Sequence, residues 1–114
     1  MRVLVCGGRK YDNGVSLYGV LGRLHREHNI ALVINGGAPG ADSLASKWAK
    51  ANGVPCQTHH AKWDRYGRRA GPIRNALMLD QNPDIVIAFP GGAGTADMVR
   101  RAQAAGVIVR QHMT

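Results

Sequence analysis

Two segments of this chain share one plan, a short apolar run that breaks into glycines and then opens a helix, and that plan constrains the fold more than any other feature. Ile85 to Thr95 reads Ile-Val-Ile-Ala-Phe-Pro-Gly-Gly-Ala-Gly-Thr, and Ala31 to Asp42 reads Ala-Leu-Val-Ile-Asn-Gly-Gly-Ala-Pro-Gly-Ala-Asp. A short unbroken apolar run is what a strand buried on both faces needs, and such strands belong to parallel sheets covered by helices. Glycine lacks Cβ, so it takes positive φ and lets another group come close to the backbone. The first turn of the following helix offers N–H groups without intrahelical partners at the positive end of its dipole, which favours an anion. A tight strand-to-helix connection alone also uses glycine. Two such turns in 114 residues nevertheless suggest one shared ligand, held in a phosphate or ribose cradle.

Strand and helix signals alternate along the rest of the chain. Arg2 to Cys6 predicts a first strand ended by Gly7-Gly8, and Val15, Leu17, Tyr18, Leu21 and Leu24 follow at helical spacing. Ile30 to Ile34 predicts a central strand, Ala41 to Ala51 an alanine-rich helix ended by Gly53, and Val54 to His59 a less apolar strand nearer the edge. Lys62 to Gly71 reads as a basic, aromatic-containing loop, and Pro72 to Leu79 as the third helix. Asp84 to Phe89 then predicts the fourth strand, Thr95 to Ala105 the fourth helix, and Val107 to Arg110 a short fifth strand. Parallel neighbours need right-handed crossovers, so the expected fold class is α/β: a single Rossmann-like three-layer sandwich over residues 1–114, with a parallel sheet of about five strands in the order 3-2-1-4-5. Ligands of such sheets sit outside the carboxyl ends of the strands where the order reverses. That order sets Gly7-Gly8-Arg9, Asn35-Gly36-Gly37 and Pro90-Gly91-Gly92 side by side, as one crevice.

Length allows one domain and leaves no room for a separate substrate domain. No apolar run reaches the roughly eighteen residues of a membrane span, and Met-Arg-Val-Leu-Val-Cys-Gly-Gly enters a strand directly, so no signal peptide and a cytoplasmic location are expected. Fifteen Lys and Arg against seven Asp and Glu give a net charge of +8, which favours anionic partners, small phosphorylated ligands and nucleic acid alike. The cations lie in short clusters with no basic arm, which weakens the nucleic-acid reading. Cys6 and Cys56 stand alone at strand positions and read as small buried hydrophobes. His59-His60 has no Cys or acidic partner at ligand spacing, so neither a metal nor a cofactor is expected.

Four segments together resemble the SLOG superfamily, which includes the DNA-processing protein DprA and the cytokinin-activating phosphoribohydrolases, and most closely its small YspA-type members. They are Val-Leu-Val-Cys-Gly-Gly-Arg at 3 to 9, Asn-Gly-Gly-Ala-Pro-Gly-Ala-Asp-Ser-Leu-Ala at 35 to 45, Ala-Gly-Pro-Ile-Arg-Asn at 70 to 75, and Phe-Pro-Gly-Gly-Ala-Gly-Thr-Ala-Asp-Met at 89 to 98. The resemblance implies a Rossmann-like fold that binds nucleotides or nucleotide-derived ligands (AMP, ADP-ribose or a nucleotide sugar) at its glycine turns, commonly as a homodimer. The phosphoribohydrolases pair an arginine ahead of strand four with a glutamate in Pro-Gly-Gly-x-Gly-Thr-x-x-Glu. Arg74 fits that arginine, whereas Met98 occupies the glutamate position. Asp97 is adjacent, but one helical residue turns a side chain by about 100°, so its carboxylate is expected to point elsewhere.

The candidate binding residues are therefore Gly7, Gly8 and Arg9 after the first strand, Asn35, Gly36, Gly37, Gly40 and Asp42 around the second turn, and Pro90, Gly91, Gly92, Gly94 and Thr95 around the last. Trp63, Arg74 and Asn75 complete the set. Thr95 is expected to cap its helix and to offer a hydroxyl to phosphate. Asp42 suits either a helix dipole or ribose hydroxyls. Arg9 and Arg74 can each clamp a phosphate in bidentate fashion, while Trp63 fits both a loop anchor and a base-stacking shelf. Were the protein a nucleotide N-glycosidase, Arg74, Asp97 and Asp42 would be its catalytic groups. A non-catalytic sensor, sequestering or carrier module is the first reading, and single-strand nucleic-acid binding through Trp63, Tyr66 and the nearby arginines is the third.

Overall fold

The computed structural model describes residues 1–114. Five short strands, β1 (Arg2–Cys6), β2 (Leu32–Asn35), β3 (Cys56–Thr58), β4 (Ile85–Ala88) and β5 (Ile108–Gln111), form one sheet in the order β3-β2-β1-β4-β5. Every pairing is parallel, with Val3 facing both Val33 and Ile85 across the sheet centre. This is the Rossmann-like topology expected from the alternation of β-branched runs and helical stripes. Its chain reversal lies between β1 and β4.

Because successive strand residues point to opposite faces, the apolar runs feed two cores. Val3, Val5, Val33, Ile85 and Ile87 pack on one face with Leu17, Leu21 and Leu24 of α1 (Gly14–His28) and Ala45, Trp48 and Ala49 of α2 (Ala41–Ala51). Leu4, Cys6, Ile34, Val86 and Ala88 pack on the other with Met78, Met98, Val99 and Ala102. Side chains buried as fully as these contribute about 1.5–3 kcal/mol each against exposure. No helix is long and apolar enough to cross a membrane.

Two expectations are corrected. Lys62–Gly71 is not a loop: α3 (Trp63–Tyr66), a 3-10 turn (Gly67–Arg69) and the start of α4 (Ala70–Leu79) follow one another there. A Cβ on Gly71 would stand 3.3 Å from the Trp63 ring, so the close approach of this glycine seats the indole. Cys56 is exposed, because β3 is an edge strand with few helix contacts over it, whereas Cys6 is buried as expected.

Gly8 joins the turns of the sheet's upper end. Its N–H donates to Pro90 O at 2.9 Å, and its carbonyl accepts from Tyr11 N and Ala41 N, each at 3.2 Å. The last bond brings the start of α2 against the β1 turn, and the chain passes there through Gly40 at φ +81°. A Cβ on Gly40 would overlap the Gly8 carbonyl oxygen and lie 2.7 Å from Arg9 O, so only glycine fits.

Candidate functional site

A cavity of about 1110 Å³ opens where β1 and β4 end. Of the residues singled out in the sequence, Gly7, Gly8, Arg9, Asp42, Trp63, Arg74, Asn75, Pro90, Gly91, Gly92, Gly94, Thr95 and Asp97 line it. Asn35, Gly36, Gly37 and Gly40 do not. Asn35 is fully buried; its amide donates to Ser46 Oγ at 2.8 Å and its Oδ1 accepts from Gly37 N at 2.8 Å, which braces the β2 turn from within. Gly36 lies under Arg74, whose Nη1 donates to Gly36 O at 2.9 Å, and a Cβ there would sit 2.8 Å from the guanidinium carbon. Gly37 faces the His60 ring. The β2 turn thus supports the Arg74 side chain while the β1 and β4 turns form the open walls.

Asp42 and Arg74 form the charged floor. Asp42 is only 6% exposed, and burial pushes its carboxyl up to about 6 from 3.8, against the opposing pull of the Ala38 N–H, Arg74, the Gly36 N–H and Arg9. Burial likewise lowers the affinity of Arg74 for its proton, an effect countered by Asp42. The Cys6 thiol, buried and close to Asp42, is pushed up to about 12 and stays protonated, so it is no nucleophile at neutral pH. The folded state holds the Asp42 proton more tightly than the unfolded chain does. This contribution to stability is full below about pH 4 and lost as pH rises through about 6. Asp42→Asn is therefore expected to raise stability at pH 8 by roughly 2–3 kcal/mol and to give little gain at pH 4, read from urea unfolding at both values. An equal effect at the two pH values would count against a buried, charge-penalised carboxyl.

Asn75 ties the floor to the wall. Its Oδ1 accepts from Arg74 Nε at 3.1 Å, and its amide donates to Gly94 O at 3.1 Å and Asp97 Oδ2 at 2.9 Å. At 3% exposure its side chain is fully engaged, so it orients Arg74 and holds the start of α5 (Ala93–Ala104). Asp97 also accepts from Arg101 Nε at 2.8 Å and pairs with Arg100 at 3.5 Å. Partial burial disfavours its charge, but the hydrogen bonds from Asn75 and Arg101 prevail and hold its carboxyl below the usual range.

α5 corrects two expectations. Gly92 is its N-cap and no side chain caps it, so Thr95 is the third helical residue and not the cap. The Thr95 hydroxyl instead lies against Gly91. Asp97 reaches the cavity wall, while Met98 is fully buried between α5 and the sheet. The carboxylate expected to point away is the one that faces the site, and the position where the phosphoribohydrolases carry glutamate belongs to the core.

Lys10, Tyr11 and Arg100 also line the cavity and were not among the candidate residues, and Arg68, one of the arginines near Trp63 in the nucleic-acid reading, lines it too. Arg100 stands three residues after Asp97, a helical spacing that would have placed it beside that carboxylate. Tyr11 is held by Phe89, with ring centroids 5.2 Å apart, a contact between distant segments that leaves no local signal.

Comparison with known proteins agrees with this architecture. The model of the YspA, cpYpsA-related SLOG family (YAcAr) matches residues 1–66, which hold the β1 turn, the β2 turn and Asp42. The Gene 61 protein of Mycobacterium phage D29 is 36% identical over 116 aligned positions, covering 95% of this chain and 93% of the phage protein. That similarity extends beyond the family match to the half that carries Arg74 and the α5 turn. The chain belongs to the YspA, cpYpsA-related SLOG family.

Proposed function

We propose that the domain binds a nucleotide or nucleotide-derived ligand, with a phosphoryl group seated on the Pro90–Thr95 turn, and holds it without turnover as a sensor, sequestering or carrier module. The observation that carries this reading is the cavity itself, where uncapped amides at the start of α5 meet the Arg9 and Arg74 side chains across glycines that leave the backbone bare. Backbone N–H groups at a helix start and guanidinium forks are complementary to phosphate oxygens. Trp63, 47% exposed at the rim, offers a flat apolar face to a base. Membership of a SLOG family supports a nucleotide-related role. Met98, at the glutamate position of the phosphoribohydrolase pattern, is apolar and turned into the core, which is in keeping with binding without hydrolysis.

The test is to denature the purified protein, identify any co-purified small molecule by mass spectrometry, and titrate the refolded protein with AMP and adenosine by calorimetry. Arg74→Ala is expected to weaken AMP by roughly 10- to 100-fold and adenosine by no more than about twofold, as loss of a charge-assisted phosphate contact requires. Equal weakening of both would remove the phosphate role of Arg74. Release of free adenine on incubation with AMP would replace binding by hydrolysis.

A further inference from the structure

We propose that Asp42 meets the anionic group of the ligand as a neutral carboxylic acid, taking up one proton from solvent as that group settles beside Arg9 and Arg74. This rests on the nucleotide reading above and adds a protonation step to it. Asp42 stands in the first turn of α2 on the cavity floor, buried, and its Oδ2 accepts from Ala38 N–H at 3.2 Å. Arg74 crosses the same ground: a Cβ on Gly36 would lie 3.0 Å from Asp42 Oδ2 and 2.8 Å from the guanidinium carbon of Arg74. Both ion pairs of the protein are nevertheless made by Asp97, so Asp42 faces Arg74 and Arg9 without closing a contact pair with either. What holds its charge is attraction from these two guanidinium groups at longer range, with the Ala38 and Gly36 N–H groups of the β2 turn. Cys6, at the end of β1, keeps its proton and brings no charge. Ala41, Ser43 and Leu44, the other residues of the first turn of α2, bring none either.

An anionic ligand removes what holds that charge. Its oxygens engage Arg9 and the N–H groups of Arg74 that Gly36 O and Asn75 Oδ1 leave free, so both guanidinium groups pull less on Asp42. A second negative charge then stands near the carboxylate, and water is displaced from the floor. All three changes favour the protonated form. Burial already holds the carboxyl at about 6, so near neutral pH a modest push is enough to keep the proton on. The resulting acid has an O–H to donate to a ligand oxygen, where the carboxylate had only lone pairs to oppose it. Asp97 behaves differently although it lines the same cavity, because direct hydrogen bonds from Asn75 and Arg101 keep it ionised. An uncharged nucleoside disturbs neither guanidinium, so the proton marks the phosphoryl group and not the base. With one proton gained on binding, affinity rises as pH falls from 8, by up to about tenfold per unit, and levels off below about 6, where the protein already holds the proton.

Calorimetric titration of the full chain with ADP-ribose, AMP and adenosine, in two phosphate-free buffers of equal pH and unlike ionisation enthalpy, counts the protons gained. ADP-ribose is the cleaner probe because its diphosphate diester does not titrate near neutral pH; for AMP, the difference between wild type and Asp42→Asn cancels the titration of the ligand itself. At pH 7 the wild type is expected to gain more than about 0.5 proton per ADP-ribose, and Asp42→Asn fewer than about 0.2. The amide matches the carboxyl in size, can accept the Ala38 bond and carries no charge at any pH, so the variant keeps its fold. It should bind ADP-ribose at least about fivefold more tightly than the wild type at pH 8 and about equally at pH 5.5, with adenosine changed by less than about twofold at either. The same proton count in both proteins, with either nucleotide bound, overturns the inference and leaves the nucleotide reading in place. Equal loss of ADP-ribose and adenosine affinity in Asp42→Asn also overturns it, and assigns Asp42 to a ribose hydroxyl. No binding of either nucleotide overturns the nucleotide reading and this inference with it.

Discussion

Gly92→Val is expected to weaken nucleotide phosphate binding by more than about 100-fold while the domain remains folded, because the loss combines several charge-assisted hydrogen bonds with a steric block. Gly92 has φ −103°, on the side of conformational space open to L-residues, and a Cβ built there meets nothing within 4 Å. Gly92 lines the cavity as the N-cap of α5, so a side chain there is expected to crowd the first amides of that helix. A phosphate oxygen must come within about 2.9 Å of those nitrogens, and a valine side chain fills that gap. Calorimetry with AMP and ADP, paired with thermal melting by circular dichroism, reads both halves of the expectation. A melting temperature lowered by more than a few degrees would show that the glycine serves the fold. Gly91 provides the contrast: a Cβ there would stand 2.7 Å from Gly8 N and overlap the Thr95 hydroxyl, so Gly91→Val should fail at folding before binding is in question.

Met98→Glu should destabilise the protein by more than about 3 kcal/mol and confer no hydrolytic activity, although it completes the Pro-Gly-Gly-x-Gly-Thr-x-x-Glu pattern of the phosphoribohydrolases. Met98 is fully buried in the cluster with Leu4, Cys6, Ile34, Met78 and Val86. No cation or free amide in that cluster could satisfy a carboxylate. Against a total stability of about 5–15 kcal/mol for a domain, such a loss leaves a marginal protein. Urea unfolding gives the stability, and chromatography of an AMP incubation gives any free adenine. A variant of unchanged stability that released adenine would mean that α5 presents residue 98 to the cavity, and the assignment of Met98 to the core would fall.

The sheet was legible because its signal is local and repeated. Val3 to Val5, Val33 to Ile34 and Ile85 to Ile87 are β-branched or leucine runs each followed within a few residues by a pair of glycines, and a parallel sheet buried on both faces is where such runs fit. The strand order 3-2-1-4-5 came with the Rossmann-like reading of that alternation, since right-handed crossovers alone give parallel strands without fixing their order. The four-residue helix at Trp63–Tyr66 was not legible, since one turn has no periodicity to read and Gly67 looks like a loop. The phase of α5 was present in the sequence but read the other way. Met98, Val99 and Ala102 form an apolar stripe that demands the core, and aligning Met98 with a catalytic glutamate in other proteins obscured it. The crossing of Arg74 over Gly36 and the three bonds of Asn75 join segments 19 to 38 residues apart, apart from the Arg74 Nε bond to its neighbour. Contacts of that range are created by the fold and leave no pattern within either segment.

Gly8 links the three turns at the top of the sheet before any ligand arrives, through bonds to Pro90, Tyr11 and Ala41. The conformational entropy of ordering those turns is thus lost at folding and not at encounter. A ligand meets a mouth already in shape, so capture requires no closing step and should approach the pace of diffusional docking, quickened by the positive field around the opening. For the nucleotide ligand proposed above, discrimination would then rest on which molecules fit the outline that the Gly8 bonds hold.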